Sequence, residues 1–217
     1  MTVDKKTVVL FILDASASMR AIQNESIEGL NEYIEILQND DKPTIIKLVT
    51  FNTYETKTLI NNEDVMEIEP IHANSYLPDG LTPLLDDIAR GILETDAYIK
   101  ESNEELNIMV TIMTDGMENA SRFFSYNQVA DMIEKREGEG WIFTYLGSNQ
   151  NSFKESLKIG IKGKYARNYQ YGNPKEAMKV MAESTIRTKR GWRKAREETD
   201  FFTDSEKLRL LRRKIRN

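Results

Sequence analysis

Residues 7–18 read TVVLFILDASAS. From 7 to 13 every residue is β-branched or apolar, and the run stops on Asp14, followed by Ser16 and Ser18. An apolar run of this length without alternation predicts a strand covered on both faces, the mark of a parallel sheet flanked by helices. Polar residues directly after such a strand stand where open α/β sheets place their ligand crevices.

Outward from this stretch the hydrophobic period keeps switching. Ile27, Leu30, Ile34 and Leu37 recur at helical spacing, closed by Asn39-Asp40-Asp41-Lys42-Pro43. Residues 45–51 predict a second strand and 54–60 a third, antiparallel to it through a tight turn at Asn52-Thr53. Residues 61–80 carry no strong period. A helix is expected from Pro83 to about Lys100, with Leu85, Ile88, Ile92 and Ile99 on one stripe, and 106–114 (LNIMVTIMT) is the next buried strand. Val129, Met132, Ile133 and Arg136 mark a helix ended by Gly138 and Gly140, before a strand at 141–146 (WIFTYL). A short helix near 151–158, a weak strand near 165–169 and a helix from Pro174 to about Thr188 follow. The alternation predicts an α/β fold, doubly wound around a mainly parallel sheet with one antiparallel edge strand. Residues 1–187 form the expected body, and 188–217 a basic amphipathic helical tail.

Composition narrows the chemistry. A chain of 217 residues with 40% hydrophobic and 30% charged residues has enough length for one sizeable core. With no Cys and a single His, His72, it has no disulfide scaffold, no Cys/His zinc site, no cysteine nucleophile and no two-histidine metal centre. No apolar run approaches the roughly 18 residues that span a bilayer. Nothing after Leu13 resembles a signal-peptide cleavage site, so a cytoplasmic protein without a membrane segment is expected. The net charge is −5, unevenly placed: from Thr188 onward 11 Lys and Arg face 5 Asp and Glu, leaving −11 on residues 1–187. Such asymmetry reports a partner or self-docking rather than a fold.

Three short motifs follow strands or open helices, and each has a plain local reading. Ser18 can cap a helix while Asp14 closes a turn. Thr82-Pro83 has the form of a helix start. Thr114-Asp115-Gly116 can be a strand-ending turn. Taken together they put two serine hydroxyls, one threonine hydroxyl and two carboxylates on three loops, with no nitrogen or sulfur donor. That set suits Mg²⁺ or Mn²⁺, which favour near-octahedral oxygen coordination and keep waters. Few formal charges would then neutralise the ion, which is left wanting an anionic oxygen from outside.

The sequence resembles the von Willebrand factor A (VWA) domain with an intact metal-ion-dependent adhesion site. The resemblance rests on the hydrophobic strand with Asp-x-Ser-x-Ser, on Gly80-Leu81-Thr82-Pro83-Leu84, and on Thr114-Asp115-Gly116, in that order over about residues 5–187. More narrowly, the blocks from Thr114 to Arg122 and from Leu146 to Gln150 resemble small stand-alone VWA proteins of bacteria and their phages. The resemblance implies that Ser16, Ser18 and Thr82 ligate the metal, while Asp14 and Asp115 hold it directly or through water. Ala17 departs from the pattern, since many relatives have Gly there; its methyl fits only if φ is negative.

The function expected is a divalent-metal-dependent protein-binding module in which a partner's Asp or Glu completes the ion's coordination. A metal-assisted hydrolase or phosphoryl-transfer enzyme is the alternative, with Glu118 its one candidate general base. Nucleic-acid binding through the tail is a third class, disfavoured because Phe201, Leu208, Leu211 and Ile215 form an apolar stripe suited to packing on an acidic surface, the chain's own or a second copy's. An EF-hand loop from Asp14 to Glu25 fails because Met19 stands at the sharp-turn glycine. Gly160 to Tyr165 lacks the spacing and the hydroxyl of a phosphate loop. His72 has no nucleophile elbow to serve.

Overall fold

The computed structural model describes residues 5–148, 152–197 and 200–212. The elements in chain order are β1 (Thr7–Asp14), α1 (Gln23–Gln38), β2 (Thr44–Phe51), β3 (Thr56–Asp64), α2 (Leu84–Ser102), β4 (Asn107–Thr114) and α3 (Tyr126–Gly138). They continue with β5 (Ile142–Gly147), α4 (Ser152–Lys158), β6 (Ala166–Asn168), α5 (Pro174–Arg190), α6 (Trp192–Glu197) and α7 (Asp204–Leu210).

The six strands form one sheet in the order β3-β2-β1-β4-β5-β6. Every pairing is parallel except β2 with β3, which makes β3 the antiparallel edge. β1 lies between β2 and β4 and is buried along its whole length, which is why its sequence shows no alternation. Its successive side chains still divide between the two faces. Phe11 meets Tyr33 of α1 edge-on at 5.2 Å, while a methyl on Gly91 of α2 would lie within 3.2 Å of Leu10 and Ile12. Helices therefore cover both sides, with α1 against α5 on one and α2 against α3 on the other. No helix among the described residues is long and apolar enough to cross a membrane.

Three expectations change. The edge strand starts at Thr56 and runs to Asp64, instead of spanning 54–60. Asn52 accepts from the amides of both Tyr54 and Glu55, so the turn takes four residues. The polar end of the strand lies exposed on the sheet edge, where no apolar period is required. Next, α2 begins at Leu84 with Pro83 at its cap position, so Thr82 lies outside the helix.

The third change is in the tail, where Phe201 is buried as expected but Leu208 and Leu211 are exposed, with Phe202 and Leu210 buried in their place; Ile215 lies outside the described residues. Ion pairs choose the face. Glu206 receives Arg187, and Arg209 reaches Glu176 and Glu183 of α5, turning the neighbouring Leu210 inward. A capping box of Thr203 with Glu206 starts α7, and the helix stops after Leu210, too short for the predicted stripe.

Candidate metal centre

The loop after β1 is shaped by its own carboxylate. Asp14 accepts from the amide of Ser16 at 2.7 Å, which reverses the chain, and Ala15 donates its amide to Phe51 at the end of β2. Two backbone bonds, Ala17 to Gly80 and Asp79 to Ala15, zip this loop to the one carrying Thr82. Gly80 makes that approach with φ +70°, against the ring of Tyr54. Among the described residues only Asn62 and Asn103 have positive φ without being glycine, so Ala17 lies outside that region and its methyl fits.

The sequence-selected oxygens meet at one point beyond the sheet. Thr114 donates to Asp14 Oδ2 at 2.5 Å, Ser18 donates to Asp115 Oδ1 at 2.6 Å, and the hydroxyls of Ser16 and Ser18 are 3.1 Å apart. A methyl placed on Gly116 would face Thr82 Oγ1 at 3.3 Å, Asp14 Oδ2 at 3.8 Å and Ser18 Oγ at 4.0 Å. All three motifs thus border the same small space. Of the local readings, the two turns hold, Asp14 closing one and Thr114 to Gly116 ending β4, but the caps do not: α1 begins only at Gln23, after a 3₁₀ turn that contains Ser18, and neither Ser18 nor Thr82 caps a helix.

Electrostatics at this point are strained. Burial pushes the Asp14 carboxyl up to about 6, against hydrogen bonds from Thr114 and Ser16, and the like charge of Asp115 adds to the rise. Burial raises Asp115 too. Two carboxylates of one sign share the site, and each opposes the ionisation of the other. Among the described residues no three carboxylates or histidines gather as a metal cage, so any cation here depends on hydroxyl donors as well.

A second layer was not foreseen from sequence. Glu118 accepts from the amides of Ala120, Ser121 and Leu85 and from the Ser121 hydroxyl, all within 2.9 Å. Asn119 holds Thr82 by both backbone groups: its side chain accepts from the Thr82 amide at 2.8 Å, and its own amide donates to the Thr82 carbonyl. Asp86 of α2 accepts from the amides of Arg122, Phe123 and Phe124. These groups bind the loop after β4 to the first turn of α2 and so fix Thr82 relative to Asp115. The only available signal was a dense polar run, 118–121, directly after the Thr114 motif. Glu118, the general-base candidate, has both oxygens committed to the loop. His72 precedes a 3₁₀ turn at Ala73–Ser75 with its carbonyl accepting from Ser75, in a loop apart from these oxygens.

No protein-family model matches the sequence, and no curated protein matches it. Solved structures do. The pilus adhesin SpaC from Lactobacillus rhamnosus GG aligns at 12% identity over 85% of this chain and 30% of its own, with a TM-score of 0.64. A von Willebrand factor type A structure from Catenulispora acidiphila aligns at 14% identity over 84% of this chain and 43% of its own, TM-score 0.59. Manganese-loaded Plasmodium vivax TRAP aligns at 17% identity over 82% of this chain and 73% of its own, TM-score 0.54. The chain thus spans less than half the length of the first two. At these identities the likeness concerns architecture, and the architecture is that of the von Willebrand factor A fold.

Proposed function

We propose that Asp14, Ser16, Ser18, Thr82 and Asp115 hold one Mg²⁺ or Mn²⁺, and that the ion takes its last ligand from a carboxylate of a partner protein. The observation that carries this reading is the convergence of the three hydroxyl-bearing loops on the buried carboxylates of Asp14 and Asp115. The fit is chemical as well as spatial. Short hydroxyl and carboxylate side chains supply the hard oxygen donors these ions prefer. A bound ion would supply a Lewis-acidic position open to an anionic oxygen. Thr114 and Asn119 would orient the ligands, Thr114 by donating to Asp14 and Asn119 by fixing the backbone of Thr82.

A binding module is favoured over a hydrolase because Glu118 is spent on backbone amides and has no oxygen to spare for a proton transfer. The manganese in TRAP and the adhesin role in the name of SpaC support the same reading by likeness of fold. Calorimetry with Mg²⁺ and Mn²⁺ is the test. An ion at about 100 times its dissociation constant should stabilise the fold by roughly 2.7 kcal/mol, read as a rise in melting temperature. Asp115→Ala should abolish binding, and metal affinity surviving unchanged in that variant would overturn the assignment.

A further inference from the structure

The end of the sheet opposite the proposed metal site carries a cavity of about 630 Å³, within the size range of small-molecule sites. It lies where the carboxyl ends of α2 and α3 meet the first residues of β4 and β5, and α6 of the tail supplies one wall. Ile99, Leu106 and Ile108 give it an apolar part. The chain's two tryptophans, Trp141 and Trp192, both line it. Trp141 is buried and stacked on Phe143, with the Arg136 guanidinium 5.8 Å from its ring. Trp192 is half-buried and donates its Nε1–H to the Gly140 carbonyl at 3.3 Å, so its indole is the aromatic surface left to a ligand. Gly140 holds a φ of +107°, and a methyl there would lie 3.1 Å from the Arg196 guanidinium. Trp192 and Arg196 are thus both set against the same turn.

Every carboxylate lining the cavity already has a cation of the protein. Asp96 and Glu139 share Arg136, Glu105 pairs with Lys5 at 2.7 Å, and Glu104 pairs with Lys6 at 3.1 Å. The cations are not all so committed. Lys100 and Lys135 are exposed and have no ion pair among the described residues, and the Arg196 guanidinium donates to a carbonyl, that of Glu137 at 3.2 Å, rather than to a carboxylate. The acidic body does not oppose an anion here: the cavity's own carboxylates are paired, the tail that walls it brings +6, and charges beyond about 8 Å are screened at physiological salt. We propose that this cavity binds a nucleoside di- or triphosphate, its base against Trp192 and its phosphates among Lys100, Lys135 and Arg196. Three cations call for a multiply charged anion, since a monocarboxylate would leave two of them unmet. An indole rewards a planar ring stacked on it, and a bare phosphate would leave it uncovered. This assignment does not depend on the metal reading above.

Because the chain has no other tryptophan, its indole fluorescence reports on this cavity alone. Titration of the full chain with ATP and GTP, in EDTA so that no divalent ion recruits phosphate elsewhere, should quench that fluorescence and give saturable binding by calorimetry. Quenching should vanish in Trp192→Phe. Affinity should fall about tenfold in Lys100→Glu and in Lys135→Glu, and stay unchanged in Arg193→Glu, an exposed position of α6 outside the cavity. Pyrophosphate and guanosine, each offering one half of the ligand, should bind more weakly than GTP. Failure of both nucleotides to bind, pyrophosphate or guanosine binding as tightly as GTP, or quenching that survives Trp192→Phe would each overturn the proposal. So would affinity indifferent to both lysine substitutions, or an equal loss in Arg193→Glu.

Discussion

Asp14 ends the central strand as a buried acid whose folded-state pKa is about 6 against an ordinary value of 3.8, with burial the main cause. The folded protein therefore binds its proton more tightly than the unfolded chain does. That preference stabilises the fold fully below pH 3.8 and is lost as pH rises through about 6, a contribution of about 3 kcal/mol. Asp115 shifts in the same direction, as does Asp87 of α2, raised to about 6 by burial. Metal-free protein should accordingly melt at a lower temperature near neutral pH than near pH 5. Cation binding needs the ionised carboxylates, so the rise in melting temperature with Mg²⁺ should be large near neutral pH and small near pH 5. An equal rise at both would show that Asp14 and Asp115 do not face the ion. The same residue shows how far the sequence could be read. Asp14, Ser16, Ser18 and Asp115 stood out because polar residues after buried strands are conspicuous, and Thr82 because it precedes a proline that opens a helix, whereas Glu118 and Asn119 act on backbone groups, and backbone geometry leaves no mark on residue type.

Among the elements, the α1–α5 contact shows why a helix can tolerate its least helical residue. Gly29 lies mid-way along α1, and a methyl there would sit 2.8 Å from the sulfur of Met178 and 2.9 Å from the Cα of Lys175. The methionine can move aside, but the backbone of α5 cannot. Alanine gains about 1 kcal/mol in helix propensity, while forcing packed helices apart costs about 1–3 kcal/mol. Gly29→Ala should thus lower stability by about 1 kcal/mol in urea denaturation, and a stabilised variant would show that the two helices separate freely. The glycine was unremarkable in sequence, because its reason lies in another helix. The central elements were legible for the opposite reason: a strand buried on both faces must be apolar throughout, so β1 and β4 declared themselves. β3 lies at the edge with most of its side chains exposed, and hydrophobic periodicity could not delimit it.

At the scale of the whole molecule, the acidic body and basic tail meet within one chain. Lys189 is buried at the end of α5, donating to Asp40 at 2.7 Å and to the Lys42 carbonyl at 2.9 Å, and Arg190 reaches the other oxygen of Asp40. Burial pushes the Asp40 carboxyl up, but Lys189 and Arg190 outweigh it and hold it below the usual range. Lys189→Met leaves a buried carboxylate with one partner fewer and should cost about 3–5 kcal/mol in chemical denaturation. The double change with Asp40→Leu should recover much of that loss; a double variant no better than the single would show that the pair is not the cause. Charge arithmetic pointed to a docked tail, on this chain or on a second copy, while the choice between Leu208 and Leu210 needed the ion pairs of Arg187 and Arg209. The bond between Thr114 and Asp14 joins positions 100 residues apart, and the one between Ser18 and Asp115 spans 97. A chain still emerging from the ribosome carries the first hydroxyl loop long before the carboxylate that completes the set. No short peptide cut from the protein would contain the proposed site, and cation competence would arrive only once β4 has docked beside β1, after more than half of the chain is made.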